Sequence, residues 1–547
     1  MPRSRALVVC AAIGVALLTA AWRFLTFTGF NNDHYIYLAG AQQMVLGEMP
    51  VRDFVDPGWP LMYGVSAVAR LMLGRELWVE LLVVASALAI GAGFTLATAA
   101  RLCGSIAVAF MVTLLEIGLN PRSFGYPKIL LYAIAGWAFV AATSRMTPRR
   151  TVSLAALTVV AFLFRHDHGL YIGAGSLVAV VLASARDGIH VVVRRTTMLA
   201  AGVVLLLLPW AIFVQYHVGL IEYFKPALEF SRAEAEGTVL RSLPWLDRSG
   251  SPVATQVNWE AWLFYLFHSM PVVALWLAWL RARGGRERWA GESAGIAAIA
   301  VTAIVMNLGF IRTPLSARLP DAGVPAALLG AWLIGAAFDA RATVIRRVAL
   351  VAAAAVFALT VKAVSVISDV PGELNRAGIL NRSGAMTERV ADLSTRLRKT
   401  MPAGSHVPSR NSEALLPFYA YVERCSSPRD RLVMTGLQPD VFVLANRGFA
   451  GGQMAYRPSF YASEKDQKTA IARMQAQSVP FVIVALEEES GFRGALPLVA
   501  AYVDSHYEPL ALIPVPDTRG LQLFVEKDRR SSGLDQETGW PCFSRSS

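Results

Sequence analysis

Long apolar runs separated by short, arginine-bearing breaks fill the first two thirds of the chain. A helix needs roughly 20 apolar residues to cross a hydrocarbon core. Against that length, the runs at 6–28, 77–100, 104–119, 126–144, 151–164, 169–185, 196–215, 260–280, 292–311, 320–338 and 345–366 predict about 11 transmembrane helices. The run at 60–73, PLMYGVSAVARLML, is set apart. It is too short for a comfortable crossing and predicts an interfacial or re-entrant helix. After residue 368 the pattern changes, and Ser368, Asp369, Val370, Pro371 and Gly372 read as an exit linker. Short apolar runs at 432–434, 441–444, 481–486 and 521–525 predict strands, and 386–400, 411–424 and 464–477 predict helices. Their alternation predicts a small α/β domain over 369–547. The expected fold class is therefore an α-helical polytopic membrane protein with a C-terminal soluble α/β domain.

Composition agrees: of 547 residues, 55% are hydrophobic and only 16% charged. Soluble domains carry about a quarter charged residues. The first run follows Arg3 and Arg5, as a secretory signal would, but it is too long and ends in Trp22–Arg23–Phe24 without a small-residue cleavage site. It reads as an uncleaved first helix, with Arg23 snorkelling to the outer interface. The net charge of +12 comes mainly from arginines between spans, which orients a membrane protein and does not indicate nucleic-acid binding. With residue 1 on the cytoplasmic side and 60–73 not crossing, Arg101, Arg145, Arg149, Arg150, Arg186, Arg194, Arg195, Arg281, Arg283, Arg286, Arg288, Arg341, Arg346 and Arg347 all fall inside. A crossing by 60–73 would invert every later loop.

That orientation places a mixed set of charges outside. The first outer loop, 29–76, holds Asp33, Asp53 and Asp56 with Arg52, and Glu80 opens the next span. Glu116, Arg122 and Lys128 follow, then Arg165, His166, Asp167 and His168, then Arg312 and Arg318. Outer arginines run against the orientation rule, and a lipid phosphate is the simplest anion that would hold them there. The large outer loop, 216–259, starts amphipathic and is either a lid, an acceptor-binding element or a solvated connector.

Each candidate has a structural alternative. Asp33 precedes a helical stretch, so it is either an N-cap or a general base. Asp56 sits in Asp-Pro-Gly, which is turn chemistry as readily as catalysis. Asp53 can simply pair with Arg52. Glu80 and Glu116 are intramembrane acids, functional candidates unless an arginine such as Arg122 partners them. Arg165 suits a phosphate clamp. The two histidines and the aspartate beside it invite a metal, but their spacing matches no ligand motif. His268, on an apolar helix, reads as a hydrogen-bonded core histidine. Cys10 and Cys103 read as packing residues, whereas Cys425 and Cys542 both fall in the outer domain and can pair there. No Walker A loop, GxSxG elbow, HExxH or dinucleotide fingerprint occurs.

Several of these segments together resemble the bacterial GT-C superfamily of polyprenyl-phosphate-sugar-dependent glycosyltransferases, which includes protein O-mannosyltransferases, aminoarabinose lipid A transferases and rhizobial lipid A/core galacturonosyltransferases. The resemblance lies in Asp33–His34–Tyr35 with the helix at 39–47, in Pro50–Val51–Arg52–Asp53–Phe54, in Asp56–Pro57–Gly58–Trp59–Pro60–Leu61, and in FRHDHG at 164–169. In that family an early acid of the first outer loop is the catalytic base, and a Pro-Leu segment opens a juxtamembrane helix. These positions are Asp33 and Pro60–Leu61 here. Many members carry a double acid at the first position, where this chain has Asp33–His34. The surroundings of Arg52 and Asp56 depart from the lysine–proline pattern of the aminoarabinose branch, so no substrate carries over.

The resemblance implies a GT-C-like membrane domain at 1–368, a periplasmic domain at 369–547 and a location in the bacterial inner membrane. The implied activity moves a sugar from a polyprenyl-phosphate donor to a lipid or cell-surface glycan acceptor. Asp33, with Asp56 as the second candidate, would deprotonate the acceptor. Arg165, Arg312, Arg318, Arg122 and Lys128 would hold the donor phosphate, with His34, Tyr35, Arg52, Glu80, Glu116 and His166 in support. The chemistry requires no cofactor, and a divalent metal is the lesser expectation. A transporter or flippase for lipid-linked sugars is the alternative. Such proteins often carry internal repeats, and none is visible here.

Overall fold

The computed structural model describes residues 5–226, 246–247, 249–283, 287–312, 316–340, 342–381, 384–398, 413–458 and 461–543; the side chains of 287–290, 310–312 and 316–317 are outside that description. The chain divides into two compact units. A helical unit comprises Met1–Phe27, Leu82–Trp210 and Ala235–Val390. A mixed unit comprises Thr28–Leu81, Ala211–Glu234 and Ala391–Ser547.

Among the described residues, nine helices are long and apolar enough to cross a membrane: Arg5–Leu25, Leu77–Cys103, Ser123–Ser144, His166–Asp187, Ile189–His217, Pro252–Arg283, Gly291–Gly309, Arg318–Phe338 and Thr343–Ile367. Nine of the predicted spans find their counterparts here. The other two come out shorter. The run at 104–119 folds as Ile106–Gly118, 13 residues. It is bounded by Gly104 and Asn120, both with left-handed φ (63° and 48°), and started by Ser105, whose hydroxyl caps Val108 N. The run at 151–164 is the tail of Pro148–Phe164, 17 residues, capped by Thr147 with proline at its first position. The segment 60–73 is a separate helix of 14 residues, Pro60–Leu73. Within the helical unit, the helix Glu287–Arg312 packs against His166–Ser184, Pro252–Arg283 and Tyr126–Ser144. Gly175 permits the first of these approaches, since a Cβ there would collide with Thr302 Oγ1. Arg23 does not simply snorkel. Its guanidinium donates to Asn120 Oδ1 and, at 2.6 Å, to Pro121 O, tying the first helix to the 120–121 turn. The expected exit linker is instead a helix start: Asp369 caps Val370–Arg376 through Gly372 N.

The mixed unit is built on a five-stranded sheet of order β2-β1-β3-β5-β4. The strands are β1 (Arg431–Met434), β2 (Gly448–Phe449), β3 (Phe481–Ala485), β4 (Tyr507–Ile513) and β5 (Leu521–Glu526). β1 pairs in parallel with β2 and β3, while β3/β5 and β5/β4 are antiparallel. Val433, Val482 and Val484 bury one sheet face against Ala470, Met474, Val499 and Val503. Three of the four predicted strands form. The fourth, 441–444, is the helix Asp440–Leu444. All five of its residues are buried, so neither strand nor helix periodicity could show. Cys425 and Cys542 form a disulfide, which joins the helix Leu416–Cys425 to the last short strand.

The expected boundary at 368 is not where the compact units part. The helix Asn32–Val45 of the first outer loop buries nine of the ten positions from His34 to Gln43, all but Ile36. It lies against Asp440–Leu444 and β2. Asn32 Nδ2 donates to Leu437 O at 2.9 Å, Gln43 Nε2 to Phe449 O at 2.9 Å, and Arg431 pairs with Glu48 at 2.8 Å. Val55 N donates to Gly452 O at 3.0 Å. The loop thus shares the C-terminal segment's core, a long-range association that no local pattern announces.

Candidate functional site

Asn31, in extended backbone, accepts a bond from His34 N at 3.1 Å and caps the helix Asn32–Val45. Asp33 is therefore not the cap. It lies in the first turn, exposed, and makes no hydrogen bond or ion pair among the described residues. The next residue is enclosed. His34 is fully buried, stacks on Phe30 with centroids 4.3 Å apart, and donates from Nε2 to Glu80 Oε1 at 2.9 Å. Ser66 Oγ donates to the same oxygen at 3.1 Å. One carboxylate thus ties together the helices of Asp33, of 60–73 and of 77–103. Tyr35 is fully buried, edge-on to Phe30.

Asp56 has the opposite environment. It is 4% exposed, and its Oδ1 accepts from Gly58 N at 3.0 Å and Trp59 N at 2.8 Å. Tyr223 Oη donates to its Oδ2 at 2.8 Å. Burial and the Asp56 carboxylate together raise the Tyr223 phenol well above its usual range, so it remains a donor. Asp53 pairs with Arg52 at 2.6 Å and accepts from Met49 N at 2.7 Å. Partial burial opposes its ionisation, but Arg52 and the Met49 N–H outweigh this and hold the carboxyl below the usual range.

The remaining candidates belong to the helical unit. Lys128 is buried and donates to Asp321 Oδ2 at 2.6 Å, with its ammonium 5.7 Å from the Phe124 ring. Arg122 is exposed over the same ring at 6.0 Å. Arg165 donates from Nε to Asp167 at 2.9 Å. Asp167 lies 3.9 Å from His168, whose Nδ1 shares a hydrogen bond with Tyr132 Oη. Two of the five cations expected to hold phosphate, Lys128 and Arg165, thus each carry an acid already. His166 stacks on Phe162 and donates to its carbonyl at 2.8 Å, a packing role. Glu116 is buried beside Thr95, not beside Arg122. Arg318 donates to Gly309 O at 3.2 Å. Arg312 ends its helix, and its side chain lies outside the described residues. His268 is a core histidine as expected, its Nδ1 2.7 Å from Phe264 O.

Sequence reasoning passed over Asn31, Ser66, Arg70, Tyr223 and Asp321. Arg70 had a signal, being the sole charge in the apolar segment 60–73. Tyr223 and Asp321 act on partners far away in sequence and had none. The chain matches no known family profile and no characterised protein.

Proposed function

We propose that this chain is an integral membrane glycosyltransferase that moves a sugar from a polyprenyl-phosphate donor to a hydroxyl of a lipid or cell-surface glycan, on the outer side of a bacterial inner membrane. The contrast between Asp33 and Asp56 carries the reading. Asp33 is an exposed carboxylate without a partner among the described residues, on a helix turn fixed by the Asn31 cap and the His34–Glu80 bond. Such a group can accept a proton at once. Asp56 has its oxygens occupied by three donors and serves the turn. In the step, the acceptor hydroxyl loses its proton to Asp33 as its oxygen bonds to the anomeric carbon. The bond to the donor phosphate breaks with inversion, and the phosphate leaves with its electron pair. Phosphate is a good leaving group, so no metal is demanded. The Cys425–Cys542 disulfide supports an oxidising, extracytoplasmic location for the mixed unit.

The test is transfer from radiolabelled polyprenyl-phosphate sugars in proteoliposomes, wild type against Asp33→Asn. Transfer by the wild type that collapses in the variant supports the reading. Movement of intact lipid-linked sugar across the bilayer without transfer would replace it with transport.

A further inference from the structure

We propose that the stretch 379–390 lies in the membrane interface and inserts Ile379, Leu380, Met386 and Val390 among lipid acyl chains. The helix Ala385–Leu397 carries an apolar stripe at Met386, Val390, Leu393 and Leu397, spaced by three and four residues. The environment changes along that stripe. Leu393 and Leu397 are buried, whereas Met386 and Val390 are 49% and 40% exposed. The opposite face is polar, with Thr387, Glu388 and Thr395 exposed. Gly378 enlarges the exposed half. It follows the helix Val370–Arg376 with a left-handed φ of 75°, and its N–H donates to Asn375 O at 3.0 Å. A Cβ there would collide with Ala385 and with Met386 N, so glycine lets this turn fold onto the start of the next helix. The fold-back brings Ile379 and Leu380, 49% and 58% exposed, to the first turn of that helix.

Single exposed apolar residues are ordinary, but four gathered from two stretches form a patch that calls for a partner. Its position names one. Arg389 donates from Nε to Leu25 O at 3.2 Å and from Nη2 to Phe27 O at 2.5 Å, the carbonyls that close the first membrane-length helix. Asn120 Nδ2 donates to Glu373 Oε1 at 3.5 Å, and the same Asn120 side chain accepts from Arg23 of that helix. The membrane-length helix Thr343–Ile367 is followed, after Ser368 and Asp369, by Val370–Arg376. The patch is thus tied to the ends of two membrane-length helices. Both leave large apolar residues exposed close to those ends, Leu17 and Leu18 on one and Leu359 and Val361 on the other. The patch therefore continues a surface suited to lipid. Charges beside it are already paired within the chain, Arg376 with Glu373 at 2.7 Å and Arg396 with Asp392 at 2.5 Å, so the attraction is to acyl chains rather than to an ionic partner. An amphipathic helix held this way buries its apolar face about 5–10 Å into the headgroup and acyl boundary. The inference needs only that these helices cross a bilayer, and it stands apart from the transferase reading.

The experiment reads fluorescence quenching in the full-length protein reconstituted into phosphatidylcholine liposomes. Leu380→Cys and Met386→Cys are each combined with Cys10→Ser and Cys103→Ser, so that the introduced thiol alone is free to take a bimane label. Phosphatidylcholine brominated on its acyl chains should quench either label several-fold more than aqueous iodide does. Bromine near the headgroup end should quench more than bromine near the methyl end, as a depth of about 5–10 Å requires. Stronger quenching by iodide would leave the patch in water and overturn the proposal. Protection from both quenchers would put a second copy or another protein over the patch and overturn it equally. Wild-type protein gives a second measurement, which decides if the cysteine variants fail to fold. A lipid with a diazirine on its acyl chain should label the stretch 379–390 on irradiation, as located by mass spectrometry. Labelling confined to the membrane-length helices overturns the proposal. Leu380→Glu with Met386→Glu should lose the label at 379–390 and keep it on those helices, and undiminished labelling at 379–390 overturns the assignment to these side chains.

Discussion

Replacing Asp33 or Asp56 of the first outer loop by asparagine should separate rate from stability in opposite directions. Asp33 forms no bond among the described residues, so asparagine there removes only its attraction to the helix N-terminus. That attraction is worth about 0.3–1 kcal/mol at the surface. Removing a general base costs about 10²- to 10⁴-fold in rate, or about 3–5 kcal/mol of barrier at 1.36 kcal/mol per decade. Asp33→Asn should therefore be nearly as stable as wild type and almost inactive. At Asp56 the amide oxygen can keep the Gly58 and Trp59 bonds, and the Tyr223 hydroxyl must turn from donor to acceptor. Charge-assisted bonds contribute about 1.5–3 kcal/mol against about 0.5–1.5 for neutral ones. Asp56→Asn should lose about 1–2 kcal/mol of stability and keep most of its rate. Melting curves and initial transfer rates on the same proteoliposome preparations measure both. A stable, inactive Asp56→Asn beside an active Asp33→Asn would refute the reasoning and move the base to Asp56.

The Cys425–Cys542 bond closes a loop of 117 residues in sequence separation, for which the chain-entropy relation gives about 5 kcal/mol. Cys425→Ser with Cys542→Ser should destabilise the C-terminal segment by up to that amount. Faster limited proteolysis checks it, and an unchanged rate would contradict it. Reporter fusions after Arg101, Arg150 and Arg195 should be cytoplasmic, and those after Gly58, Arg122 and Asp369 periplasmic; a cytoplasmic fusion after Asp369 would overturn the orientation. The Arg424 hydrogen bond, with that of Thr538, holds the Asp535 carboxyl below its usual range. Its stabilising share is therefore present above the unfolded pKa, about 3.9, and lost as pH falls through the lower folded value. Asp535→Asn should reduce the acid sensitivity of the melting temperature, and an identical pH profile would contradict this.

Much of the architecture was legible locally. Membrane-length apolar runs need only their own residues to satisfy every backbone bond as helices, so the long spans, the short helix at 60–73 and the strands at 432–434, 481–486 and 521–525 followed from pattern. The ends of 104–119 were less legible, because Gly104 and Asn120 decide them through backbone geometry. The candidate site was legible as a list of acids and bases and hardly at all as an arrangement. Asp33 and Asp56 look alike in the chain, yet one is exposed and the other is enclosed by Tyr223, 167 residues away. Lys128 and Asp321 are 193 residues apart and form one buried pair. Arg70 is the one charge of the apolar run 60–73, and only the packing shows it buried, without an ion pair among the described residues. Composition and periodicity specify which face of an element seeks burial. Which residues meet across that face depends on long-range packing, and that packing decides whether a charge is paired, enclosed or left to react.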